Sequence, residues 1–240
     1  MRKLKSLANP QTRAGMSQFG IPTQHALGIS IPVLRKLASE TGKDHELAGR
    51  LWESAIHEAR ILAAFVDDAC KVSETQMERW AADFDSWDIC DACCGNLFDR
   101  TPFAYEKARE WSRRPEEFVK RAGFALMATL AVHDKLAADS AFHAFLPNIW
   151  DECNDSRNFV KKAVNWALRQ IGKRNLRLNR AAIRAAKQIR DVNFPAARWI
   201  ASNALRELTS DAVQRRLKKI AVARASQQRK PSGRRRKQRR

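Results

Sequence analysis

The chain has 240 residues, and its 45 Lys and Arg against 26 Asp and Glu give a formal charge of +19. That length suits one ordinary domain or one compact repeat array, and 44 % hydrophobic residues exclude wholesale disorder. Only 9 Gly and 8 Pro are present, which favours helices over a loop-rich β fold.

The segments read in chain order as consecutive helices. Pro32 suits the first turn of a helix over 31–39. Leu51, Ala55, Glu58 and Leu62 fall at helical spacing in the next. Further helices are expected over 74–83, 86–98, 102–113, 115–132, 138–149, 157–172, 177–189, 195–208 and 210–223. Thr41-Gly42, Asn154-Asp155-Ser156 and the stretch from Asp191 to Pro195 are turn signals between them. No run of alternating β-branched residues occurs, so no sheet is expected.

Two segments repeat. Phe118-Val119-Lys120-Arg121-Ala122 returns as Phe159-Val160-Lys161-Lys162-Ala163, and Ala167-Leu168-Arg169 returns as Ala204-Leu205-Arg206. A period near 40 residues with two helices each points to an all-α, HEAT-like array, a curved solenoid with a concave face. Residues 1–223 form this domain, and 224–240 read as a disordered basic tail.

Charge is distributed unevenly. Residues 1–153 carry 19 basic and 22 acidic side chains, whereas 154–223 carry 17 and 4, and 224–240 carry 9 and none. A near-neutral body with a basic C-terminal third is the footprint of a polyanion binder, foremost nucleic acid. In the repeat frame Lys120, Arg121, Lys161, Lys162 and Arg198 open successive helices and would line one face. The longest uncharged run, 14–34, is broken by Gln, Gly and Pro, so no membrane span is expected. No apolar stretch follows Arg2, Lys3 and Lys5, so no secretory signal is expected either. Five cysteines, an odd number, suggest a reduced, cytoplasmic protein.

Three features bear on chemistry. Ser86 is a plausible N-cap for a helix on which Trp87 and Asp91, four apart, share a face with Cys94 and Phe98. Asp91 is then either a carboxylate that stabilises positive charge beside an indole, or one paired with a nearby Arg. Trp166 sits among Lys161, Lys162 and Arg169, placed to stack on a base or sugar or to pack between repeats. Cys90, Cys93 and Cys94 lack a fourth ligand at zinc spacing and read as buried thiols. No phosphate loop or Gly-x-Ser-x-Gly elbow is present, and no metal or cofactor is expected.

The chain resembles the AlkD-type DNA alkylation-repair glycosylases, a bacterial HEAT-like family. The resemblance rests on Gly20-Ile21, on 28–37, on Trp52-Glu53 with 58–64, on Trp87-Asp88-Ile89-Cys90-Asp91, and on the two segments opening at Phe118 and Phe159. It implies excision of cationic N3- or N7-alkylpurines from duplex DNA, leaving an abasic site. It implies Asp91 as the catalytic carboxylate, with Trp87 and Trp166 flanking the lesion nucleotide. Arg121 would hold a phosphate, and Lys120, Lys161, Lys162 and Arg169 complete the expected DNA contacts. A monomer in the bacterial cytoplasm, associated with the nucleoid, is expected. The alternatives are a non-catalytic module for distorted or branched DNA and a protein-binding helical scaffold.

Overall fold

The computed structural model describes residues 1–228, with side chains to 223, and contains no strand among them. Two short helices, α1 (Arg2–Ser6) and α2 (Pro10–Met16), lead through a 3-10 turn, Ser17–Phe19, into a loop. There follow α3 (Ile31–Thr41), α4 (His45–Glu53), α5 (His57–Val66), α6 (Glu74–Ala82), α7 (Trp87–Asn96) and α8 (Ala104–Trp111). The chain continues with α9 (Glu117–His133), α10 (Asp139–His143), α11 (Leu146–Asp151), α12 (Asn158–Gly172), α13 (Leu176–Asp191), α14 (Pro195–Leu208) and α15 (Asp211–Gln228).

Local signals explain most boundaries. The side chains of Asn9, Asp44, Ser73 and Asn175 each accept a backbone N–H in the first turn of α2, α4, α6 and α13, satisfying donors that a helix start leaves orphaned. Pro32 and Pro195 occupy first-turn positions of α3 and α14, where a missing N–H costs nothing. Gly42, at φ 76°, ends α3.

Several expectations are corrected. Leu51 and Leu62 lie on two helices, because Ala55 between them takes a left-handed φ of 54° and breaks the run. The helix expected over 138–149 is also two, α10 and α11. Pro147 lacks the N–H that a continuous helix would direct at the carbonyl of residue 143. Ser86 stands at the N-cap of α7, but its buried hydroxyl has no hydrogen-bond partner. Helix α15 runs to Gln228, so the first five residues of the expected tail are helical, and 229–240 lie outside the described residues.

The helices stack in two rows. In the first, α3, α5, α7, α9, α12 and α14 each pack on the next. In the second, α4 backs α5, α8 backs α9, and α13 backs α14. First-row helices after α3 begin at residues 57, 87, 117, 158 and 195, so their spacing is 30, 30, 41 and 37 residues. The period near 40 therefore describes only the later repeats.

Helix α9 is the spine, buried without interruption from Val119 to Ala131. A Cβ on Gly123 would lie 2.3 Å from the Ser112 backbone nitrogen, so only glycine lets α9 approach the end of α8 this closely. Trp52 and Trp80 stack at 4.0 Å, and Phe98 meets Trp111 edge-on at 6.0 Å. Each buried tryptophan hides on the order of 200 Å² from water, about 5 kcal/mol of transfer free energy before entropy is counted. Towards the C-terminus alanines take over, with Ala181, Ala182, Ala185 and Ala186 of α13 buried against α14.

Candidate functional site

The stacking of first-row helices brings their N-terminal turns together. Trp87 and Asp91 come from α7, Arg121 from α9, and Asn158, Phe159 and Lys162 from α12. With Gln18, Phe19 and Gly20 from the N-terminal segment, Trp87, Arg121, Asn158, Phe159 and Lys162 line a cleft of about 440 Å³.

Asp91 lies behind that cleft, engaged by Arg121 through two hydrogen bonds. Nε donates to Oδ1 at 3.0 Å and Nη2 to Oδ2 at 2.7 Å. The guanidinium also donates to the Phe159 carbonyl at 2.7 Å and lies 5.9 Å from the Trp87 ring. Of the two readings open for Asp91 in the sequence, the pairing with an Arg is thus present in the free protein. Burial pushes the Asp91 carboxyl above its usual range, while the Arg121 charge and hydrogen bonds oppose that rise and Asp88 adds to it. The resulting ion pair is planar, charge-assisted and poorly hydrated.

The surroundings hold this pair in place. Asp88, one residue after Trp87, accepts the Ile89 N–H and pairs with buried His57 at 2.8 Å. Burial draws the His57 pKa down, but the Asp88 hydrogen bond and charge, with Glu58 and Asp85, outweigh it and raise the pKa overall. Buried Glu58 accepts the N–H groups of Leu27, Gly28 and Ile29 at 2.7, 2.6 and 3.2 Å, clamping the N-terminal loop to α5. Cys90 and Cys94 donate weakly to the carbonyls of Phe118 and Ala122, tying α7 to α9. Burial pushes the Cys93 and Cys94 thiols well up, so they are poor nucleophiles. No group of three or more His, Cys, Asp or Glu among the described residues is placed to hold a metal ion.

The remaining expected residues part company. Lys162 is exposed at the cleft, and Lys161 lies over the Trp199 ring at 5.1 Å. Trp166 shares the α12 face of Phe159 and Lys162 but is partly buried against the core and lies outside the cleft lining. Lys120 is buried and paired with Glu152 and Asp155, and Arg169 is paired with Glu207. Neither presents a free cation, because each is the partner a neighbouring repeat's carboxylate requires.

The sequence reading missed the N-terminal contribution. The Trp87 indole donates to the Phe19 carbonyl at 3.0 Å. Gly20, at φ 71°, lies so close to Phe159 that a Cβ would meet its ring at 2.7 Å. Phe19 itself is 65 % exposed, the most exposed aromatic among the described residues. A lone Phe before Gly in a polar stretch gives no periodic signal, so nothing local marks it.

Comparison with known proteins shows a family. A family model described as DNA alkylation repair enzyme matches residues 1–215. A solved structure superposes with a TM-score of 0.75 at 19 % identity, covering 90 % of this chain and 94 % of that one. It is described as "a new family of proteins related to the HEAT-like repeat DNA glycosylases with affinity for branched DNA structures". At that identity the likeness shows the fold, a HEAT-like array. No curated protein matches the chain. No helix among the described residues is long and apolar enough to cross a membrane.

Proposed function

The chain belongs to the DNA alkylation repair enzyme family, and on that premise we propose that it is a monofunctional glycosylase for cationic N3- and N7-alkylpurines in duplex DNA. The observation that carries this reading is a partly buried carboxylate, Asp91, held by an arginine that lies over an indole, at a cleft edged by a free lysine.

The chemistry follows from charge. Alkylation makes the base cationic and the glycosidic bond weak. As that bond breaks, its electron pair goes to the base, which leaves neutral, and positive charge moves to the sugar. A fixed carboxylate in a poorly hydrated site stabilises that oxocarbenium-like state more than the ground state. Water then adds at C1′ and releases its proton to Asp91 or to bulk solvent. The face of Trp87 adds cation–π stabilisation.

Arg121 gives this mechanism a gate. In the free protein its guanidinium neutralises Asp91. A DNA phosphate competing for the same planar donor would draw the guanidinium outward and leave the carboxylate to face the sugar. Lys162, with Lys161 beside it, supplies the phosphate contacts that seat the backbone, and Trp166 flanks the nucleotide one helical turn further along α12.

A second reading rests on the same pair. If Arg121 stays on Asp91, the cleft binds backbone without chemistry, and the chain is a module for distorted or branched DNA. That matches the affinity described for the structural neighbour. Release of 7-methylguanine, N3-methyladenine and a bulky N7 adduct from duplex DNA separates the two. Release of any one supports the glycosylase. Tight binding of a three-way junction with no release of all three establishes the binding module instead.

A further inference from the structure

We infer that the second row carries its own nucleic-acid surface on α13, separate from the cleft, so that one protein holds two duplex segments. This rests on the nucleic-acid reading above. Arg177, Arg180, Arg184 and Lys187 are all exposed and follow one another at i+3, i+4 and i+3, which sets them on a single stripe along the helix. From Arg177 to Lys187 the stripe spans about 15 Å at the helical rise. None of the four is in an ion pair among the described residues; the nearest candidate along the stripe, Arg190, is taken by Asp191 at 3.7 Å.

The stripe faces away from the cleft. The opposite side of α13, with Leu178, Ala182, Ala185 and Ile189, is buried against α12 and α14. The cleft residues of α12 lie on the first row, whose exposed side is the other surface of a two-layer array. A straight duplex seated in the cleft therefore leaves the stripe uncovered.

An ordinary solvated helix does not look like this. On α4, Glu46 and Arg50 pair at i,i+4, and on α8, Lys107 is surrounded by Glu74, Glu78 and Glu110. In α13 like charges stand at i,i+3 and i,i+4 with no acid in the first turn, and Arg177 sits at the positive end of the helix dipole. That arrangement costs stability in the free protein and is relieved by an external polyanion. Three of the four cations are Arg, whose planar donors match phosphate oxygens two at a time. Arg184 also borders a groove of about 570 Å³ whose exposed Trp150 offers a ring beside the backbone.

The test uses the full chain and two unmodified duplexes of about 20 base pairs, one with a donor dye and one with an acceptor. Wild type is expected to bring them together, with native gels showing a first and then a second duplex per protein. The combined substitution Arg177→Ser, Arg180→Ser, Arg184→Ser and Lys187→Ser should abolish the energy transfer and the second band. It should leave the first affinity within about two-fold and the Tm no lower, since like-charge repulsion is removed. If each cation meets one phosphate, the salt slope of the second event is about −4 in wild type. A variant that still takes up the second duplex, or a wild type that takes only one, overturns the inference and leaves the cleft reading standing. A wild type that binds no duplex overturns the nucleic-acid reading and this inference with it.

Discussion

Residues 1–153 and 154–223 stack helices in the same two rows, yet they handle charge in opposite ways. In the first region several charged side chains bond to groups about one repeat away. Asp83 takes the Trp52 indole, Asp88 takes His57, Glu78 takes Trp111 and Lys107, and Asp91 takes Arg121. These links run about one repeat apart and staple each repeat to the next. In the second region four carboxylates face seventeen bases, and Glu207 alone holds both Arg169 and Lys173. Packing on α13 is left to alanines and a few aliphatic side chains, and Arg177, Arg180, Arg184 and Lys187 stay exposed on its surface. Internal ion pairs thus hold the cleft residues in place, whereas the unpaired cations of α13 leave the second region with a strongly positive surface.

The densest of these links is at Glu58. Glu58→Ala leaves three backbone N–H groups without their acceptor and should cost about 3 kcal/mol, read as a lower midpoint in urea. It should also free the N-terminal segment that carries Phe19. An equal midpoint in the variant would mean that the clamp on Leu27, Gly28 and Ile29 contributes little.

A smaller effect sharpens the division between tied and free lysines. Lys162→Ala should reduce the salt slope of duplex binding by about 0.9 and leave the fold unchanged. Lys120→Met should do the reverse, leaving the slope unchanged while lowering stability by about 1–2 kcal/mol, because Glu152 loses its partner. Equal slopes in both variants would erase the distinction between the two lysines. Ala55→Gly should raise stability by about 1 kcal/mol, since glycine accepts the left-handed turn between α4 and α5 without strain.

The smallest expected effect is a pH dependence. His57 has its pKa raised in the folded protein, so its contribution to stability is full below the unfolded value of about 6.5. That contribution is lost as pH rises through the folded pKa. Wild-type Tm should therefore fall on going from mildly acidic to mildly alkaline buffer more than the Tm of His57→Gln. Identical profiles would remove the His57–Asp88 pair from the account.

The sequence was most legible where structure is local. Pro32, Gly42 and Pro195 mark helix ends that the fold places within a residue or two of expectation. The face shared by Trp87 and Asp91 follows from their spacing of four, and the HEAT-like array is signalled by segments that recur about 40 residues apart. Legibility failed where the answer depends on a distant partner. Nothing near Asp91 announces that Arg121, 30 residues away, occupies it. Nothing near Lys120 shows that Glu152 removes it from the surface. The early repeats of 30 residues carry no matching segments, since the repetition of Phe-Val-Lys lies in the longer ones. Ala55 broke a helix that its neighbours' periodicity favoured, since a left-handed alanine leaves no mark on a hydrophobic pattern.

On the proposed mechanism Asp91 works as a carboxylate on the sugar once DNA has drawn Arg121 away. Single-turnover release of 7-methylguanine from methylated duplex, by wild type and by Asp91→Asn, tests it most directly, with duplex binding and circular dichroism measured on both. Both proteins should fold and bind with similar affinity, and release should slow by about 100- to 1000-fold in the variant, the range expected for losing one preorganised electrostatic group. Release by Asp91→Asn at the wild-type rate would contradict it.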